Sequence, residues 1–271
     1  MNGRIKLIVS TVLTITVILT LAILGNMMNE DVLKADFTRK NLAPCIEHPF
    51  GTDWMGRDMV ARTIKGLSLS IVIGLVASFV SAVAAVIIGA LAGIMPKWVD
   101  NILGWLIDLV MGIPHLVLLI LISFAVGRGI KGVMIGIAVT HWTGLARLMR
   151  SEVLQIRGEF YIELSRKLGK SNIYILKNHI LPHLMPQFII GLILLFPHAI
   201  LHEAAITFLG FGLSPEVPAV GIILSESMRY LSAGRWYLAL FPGLSLVTIV
   251  LLFEYLGDNI KKILDPYNAQ D

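Results

Sequence analysis

The sequence predicts an all-α protein that crosses a membrane several times, and three observations carry that prediction. Hydrophobic residues make up 56% of the chain and charged residues only 15%, well below the roughly 25% charged share of soluble domains, and the mean hydropathy is +0.80. The apolar residues are gathered into runs approaching the roughly 20 residues that a helix needs to cross a bilayer core about 30 Å thick. The apolar/polar alternation of a membrane β-barrel is absent, and only helices or closed barrels satisfy their backbone groups in lipid.

Six runs qualify as spans. Leu7 to Met28 follows Arg4 and Lys6; its apolar stretch exceeds the roughly 7–15 residues of a signal-peptide core and no A-x-A site follows, so it is read as a retained first helix. Ser70 to Met95 and Ile102 to Val126 are the second and third spans. Gly132 to Leu145 is the shortest, reaching spanning length if Ile130 and Leu148 lie at its ends, with Trp142 near an interface. Phe188 to Leu209 and Leu238 to Gly257 complete the set. Cys45 is the only cysteine, which excludes an intrachain disulfide and a cysteine-cluster metal site. The net charge of +4 comes from bases beside apolar spans, where topology and anionic lipid account for them without nucleic acid.

Six crossings place both termini on one side and the two long polar stretches, residues 29–69 and 146–187, on opposite sides. The second carries Arg147, Arg150, Arg157, Arg166, Lys167, Lys170 and Lys177 against Glu152, Glu159 and Glu163, whereas the first balances its bases with acids. Positive charge favours the cytoplasm. The expected topology therefore has both termini and residues 146–187 inside, with residues 29–69 and 210–237 outside.

Within the basic loop, Phe160, Tyr161, Leu164 and Leu168 recur at helical spacing, Gly169 supplies a stop, and Ser171 can cap a second helix holding Ile173, Tyr174, Leu176 and Lys177. Pro182 is expected to break the run before the fifth span. A helical hairpin with an exposed apolar face either docks in a partner's groove or lies in the lipid headgroups; periodicity alone leaves both open.

The run Glu163-Leu-Ser-x-x-x-Gly169 with Leu181-Pro182 resembles the "EAA" loop of binding-protein-dependent ABC importer permeases, with Leu164 and Ser165 in place of the two alanines. Further segments are similar to the "C"-type subunit of the dipeptide/oligopeptide/nickel branch: His48-Pro-Phe-Gly51-Thr-Asp53-Trp-Met-Gly56-Arg57-Asp58, Arg147-Leu-Met-Arg150, Phe208-Leu-Gly210-Phe-Gly212, and Gly257-Asp258 with Leu264-Asp265-Pro266. The resemblance implies a type I permease fold and a coupling segment made of Tyr161, Glu163, Leu164, Ser165, Leu168 and Gly169. It implies as partners a homologous permease, two ATP-binding subunits and an extracytoplasmic substrate-binding protein, in a bacterial plasma membrane. No G-x-x-x-x-G-K-[ST] run occurs, so ATP and Mg are expected on the partner subunits, with no cofactor and no catalysis on this chain.

Charged residues inside spans tend to face a cavity or a partner. Asp108 and Glu203 are candidates for the substrate path, and Glu254 has no assigned role. His198 and His202 are spaced i, i+4 on the fifth span beside Pro197, so they project from one helix face and are the candidate metal ligands. The strings Pro197-His-Ala-Ile-Leu-His202 and His141-Trp142 look like nickel-type members, so the expected cargo is nickel, free or chelated. The alternative is di- or oligopeptides with structural histidines. Asp53, Arg57, Asp58 and Arg62 either meet a binding protein or tie their loop to the bundle by salt bridges. Gly89, Gly93, Gly104, Gly112, Gly132 and Gly136 are expected to permit close helix packing. An intramembrane hydrolase would need a catalytic constellation such as H-E-x-x-H, which is absent, and a channel would have no use for a docking hairpin.

Overall fold

A computed structural model describes residues 3–264, all helix, turn and loop, with one isolated bridge between Thr52 and Asp58. Asp265 and Pro266 of the tail motif lie outside the described residues. The helices are α1 (Gly3–Met27), α2 (Met59–Ile94), α3 (Lys97–Gly112), α4 (His115–Val126), α5 (Ile130–Thr140), α6 (Trp142–Ile156), α7 (Phe160–Lys167), α8 (Asn172–Ile175), α9 (Leu181–Phe208), α10 (Val220–Met228) and α11 (Tyr237–Leu264).

Helix α2 is the central post, packed by α1, α5, α6 and α9. Two rows of small residues at four-residue spacing explain why so many helices can reach it. Gly66, Ser70 and Gly74 face α9 and α10, and Ser81, Ala85, Gly89 and Gly93 face α5 and α6. At Gly89 the backbones of α2 and α6 come close: a Cβ there would lie 2.6 Å from Met149 Cβ and 2.7 Å from the Ala146 carbonyl. Without a hydrophobic drive between helices in lipid, such close van der Waals packing is what holds a bundle together. Gly104 and Gly112 differ from expectation, since a Cβ at either would meet nothing within 4 Å.

The span prediction needs correction at three places. Helix α2 starts at Met59 rather than Ser70, because Asp58 caps it by accepting from Ala61 N at 2.8 Å. The third run is not one helix. It is α3 and α4, bent by 97° at Ile113-Pro114. Pro114 lacks an N–H and pushes Ile113 into the extended region, φ −89° and ψ 134°. The fourth run is α5 and α6 joined at His141, which keeps helical backbone angles, so the helical run continues to Ile156. Four helices are individually long and apolar enough to cross a membrane, Arg4–Met27, Met59–Ile94, Asn172–Phe208 and Tyr237–Leu264, or five with the bent pair; the six crossings do not map onto six simple helices.

Pro182 does not break the chain either. A π turn at Leu176–Ile180 links α8 to α9, and Leu181 N donates to the Leu176 carbonyl. The wider turn accommodates a residue that cannot donate back to its own i−4 carbonyl. Helix α10, inside the stretch expected to be loop, packs on α2, α9 and α11.

Candidate functional site

Two helix junctions and one long helix bring three imidazoles to one place. His115 is the first residue of α4, directly after the Pro114 bend; His141 sits where α5 meets α6; His202 comes from the C-terminal part of α9. Ring centroids are 4.5 Å apart for His115–His141, 4.5 Å for His115–His202 and 5.1 Å for His141–His202, all edge-on. One ligand-capable nitrogen from each ring lies within 4.8 Å of the other two. The three line a cavity of about 580 Å³ together with Met111, Pro114, Thr140, Thr143 and His198.

His202 Nδ1 lies 2.7 Å from the His198 carbonyl; a carbonyl only accepts, so this Nδ1 carries the proton and a neutral His202 keeps its lone pair on Nε2. His141 Nδ1 lies 3.1 Å from both the Ile137 carbonyl and the Thr140 hydroxyl, so it can donate to the first or accept from the second. Among the described residues, Nε2 of His115 and of His141 is buried without a hydrogen-bond partner.

The geometry separates the two histidines of the expected metal pair. His202 belongs to the cluster, but His198 supplies its carbonyl, and its own exposed ring is not in the trio. His141 was legible only as part of a motif, and His115 was missed; Pro-His inside an apolar run was the available signal. Asp108 is also placed elsewhere. It pairs with Arg147 on an exposed face and does not line the cavity. Arg150 beside it holds Asp100 bidentately, 2.9 Å at one contact, tying α3 to α6.

Glu203 is fully buried and turned away from the imidazoles. Ser70 Oγ donates to it at 2.7 Å and Thr207 Oγ1 at 3.1 Å, so the carboxyl bridges α2 and α9. Its place is in helix packing rather than on the cavity wall.

At the α2 N-terminal end, the loop before α2 is clamped by charge. Asp53 Oδ2 accepts from Arg57 Nε and Arg62 Nη1, both at 2.7 Å, and Asp53 Oδ1 accepts from Met55 N at 2.8 Å and Arg57 N at 2.9 Å. Arg62 Nη2 also reaches Glu226 of α10 at 2.9 Å. Asp53 and Arg62 side chains are each 5% exposed, so these residues tie the loop to the bundle. Thr38 hydroxyl and backbone N–H both donate to Asp36 in the same loop and hold its carboxyl below the usual carboxylate range. Beside this clamp lies a second cavity of about 730 Å³, walled in part by Trp54, Arg128, Glu226, Arg229 and Tyr230.

At the other end of α2, α7 and α8 form the expected hairpin. Gly169 terminates α7 at φ +75°, and Ser171 Oγ accepts from Tyr174 N at 3.2 Å as the cap of α8. Ile162 anchors the hairpin in the core, while Phe160, Leu168 and Ile173 are 76%, 69% and 76% exposed. His179 braces it: its ring meets Tyr161 and Tyr174 edge-on, and Nε2 lies 3.2 Å from Ser165 Oγ.

A helical membrane subunit with cavities between broken helices and an unpartnered apolar hairpin at one end has the anatomy of a transport component. The model of the family described as "Binding-protein-dependent transport system inner membrane component" matches residues 85–268, and the chain belongs to that family. The "Dipeptide transport system permease protein DppC" of Bacillus subtilis (strain 168) is 30% identical over 262 residues, covering 96% of this chain and 82% of that protein. A "Putative peptide transport system permease protein" of Brucella suis biovar 1 (strain 1330) is 34% identical over 226 residues, 82% of this chain and 75% of its own length. The "Oligopeptide transport system permease protein OppC" of Bacillus subtilis (strain 168) is 29% identical over 262 residues, 96% and 86%. The chain is thus a multi-pass ABC importer permease of the peptide/nickel branch, C-type.

Proposed function

We propose that this chain is one of two membrane subunits of an ATP-driven importer for small peptides, working with a homologous permease, two ATP-binding subunits and an extracytoplasmic substrate-binding protein. The observation that carries the reading is the exposed apolar hairpin on a permease whose curated relatives bear dipeptide and oligopeptide names. Phe160, Leu168 and Ile173 gain about 25 cal/mol per Å² of apolar surface when a partner groove covers them. In this reading Tyr161, Glu163, Leu164, Ser165, Leu168 and Gly169 form the segment that transmits ATPase motion. ATP and Mg bind the partner subunits, and this chain holds no cofactor.

The basic residues 146–187 then face the cytoplasm with both termini, and residues 29–69 face outward. The exposed Glu254 sits on the membrane helix α11. Charge at that depth requires surroundings other than lipid, which the homologous permease and the path between the two subunits provide.

Nickel, free or chelated, is the second reading, favoured by the imidazoles around one cavity. The test is ATP-dependent uptake by the reconstituted complex of labelled di- and oligopeptides and of labelled nickel, with and without chelators. Peptide uptake that stops when Leu168→Glu abolishes ATPase assembly supports the first reading. Nickel uptake without peptide uptake replaces it with the second, and assembly of the ATPases on the Leu168→Glu chain refutes the coupling role of the hairpin.

A further inference from the structure

We propose that His115, His141 and His202 together bind one divalent first-row transition-metal ion at the wall of the 580 Å³ cavity. The inference goes beyond the cargo reading and holds whether the importer carries peptides or metal.

The simplest competing account is that three buried imidazoles hydrogen-bond to one another. The geometry runs against it: Nε2 of His115 and Nε2 of His141 are both buried without a hydrogen-bond partner among the described residues, so these two rings stand side by side without bonding to each other, and a buried polar atom without a partner is costly. His202 spends its N–H on the His198 carbonyl and keeps its Nε2 lone pair for the cluster. A cation accepts from all three rings at once. The carbonyl bond on His202 Nδ1 is also the arrangement that orients metal-ligating histidines and fixes their tautomer.

The donor set defines the ion. Three neutral nitrogens with no carboxylate among them suit Ni²⁺, Co²⁺, Cu²⁺ or Zn²⁺ and offer little to Mg²⁺ or Ca²⁺; Glu203, the neighbouring carboxylate, is engaged by Ser70 and Thr207. Two nitrogens bound to one ion at about 2.1 Å are roughly 3.4 Å apart at the tetrahedral angle. Ring nitrogens already within 4.8 Å of one another close on an ion by side-chain movements of roughly 1 Å. Three ligands leave the remaining coordination positions toward the cavity, open to water or to an amine or carboxylate of a chelator. Because the ligands come from α4, the α5–α6 joint and α9, a bound ion cross-links three helical segments that are far apart in the chain.

The test uses the complex assembled with its partner subunits, stripped of metal and titrated with Ni²⁺ by calorimetry and with Co²⁺ by its visible ligand-field bands. The expected result is binding in the wild type, weakened at least about tenfold by His115→Ala, His141→Ala or His202→Ala, and retained in His198→Ala. Wild-type protein that binds neither ion, or binding that survives all three substitutions, overturns the proposal. Binding lost in His198→Ala and His202→Ala but kept in the other two overturns the trio in favour of the helical pair. Where an alanine variant fails to assemble, histidine-selective labelling of the wild type read by mass spectrometry decides instead. Ni²⁺ is expected to abolish modification of His115, His141 and His202 while His183 on α9 stays reactive; unchanged modification of the three overturns the site. These readouts report binding alone, so absence of peptide or nickel uptake leaves them intact.

Discussion

Replacing Asp53 by alanine gives the sharpest test of how the loop before α2 is held. The carboxylate accepts four hydrogen bonds, two from guanidinium groups at 2.7 Å and two from backbone N–H at 2.8 and 2.9 Å. Its removal leaves Arg62, 5% exposed, with Glu226 alone as its ionic partner, and strands the amides of Met55 and Arg57. Removing one member of a buried ion pair costs about 3–5 kcal/mol, because the other charge stays desolvated. Asp53→Asn keeps an acceptor for the two amides and loses only the charge, so it should cost less than Asp53→Ala. In a cycle of Asp53→Ala, Arg62→Ala and the double variant, the coupling should reach the upper part of the range of about 0.5–3 kcal/mol found for contacting residues. Denaturant-induced unfolding of the purified subunit complex measures the loss, and proteolysis of residues 28–58 localises it. A loss below about 1 kcal/mol for Asp53→Ala, or additivity in the cycle, would refute a clamp and return these side chains to the role of a contact surface for a binding protein.

Two further outcomes follow from packing and backbone. Gly89→Val should destabilise the complex by about 1–3 kcal/mol, since even a Cβ would lie 2.7 Å from the Ala146 backbone oxygen; Gly104→Val, with open space around it, is the control, and equal melting temperatures for the two would sink the argument. Gly169→Val should weaken ATPase assembly without disturbing the histidine cavity, because φ +75° disfavours a β-branched residue at the end of α7; pull-down of the ATP-binding subunits reads it.

Much of this protein is legible in its local chemistry. The hairpin shows it best: Gly169 is the stop and Ser171 the cap because a left-handed backbone angle and a side-chain acceptor are properties of single residues, visible wherever they occur. The apolar runs likewise announce α1, α2, α9 and α11, since lipid demands length and composition of each segment separately. Pro114 and Pro182 mark the boundary of that legibility. Both remove a backbone donor, yet one turns the chain by 97° and the other is absorbed in a π turn, and which happens depends on what the following residues pack against.

The cavity lies beyond that boundary altogether. The spacing of His198 and His202 identifies one helix face, but the sequence by itself does not say that His202 turns its free nitrogen toward His115 and His141, which stand 87 and 61 positions away in the chain. What the sequence determined was a membrane-spanning composition, helical class and a helical hairpin with an apolar face, all set by short-range composition and spacing. What only the tertiary structure decided was which polar groups meet: Asp108 with Arg147, Glu203 with Ser70, and three imidazoles from three separate helical segments. The reason is geometric. A ligand set is fixed by where helices cross and how their side chains are turned, and crossings form only when small residues such as Gly89 let the helices approach.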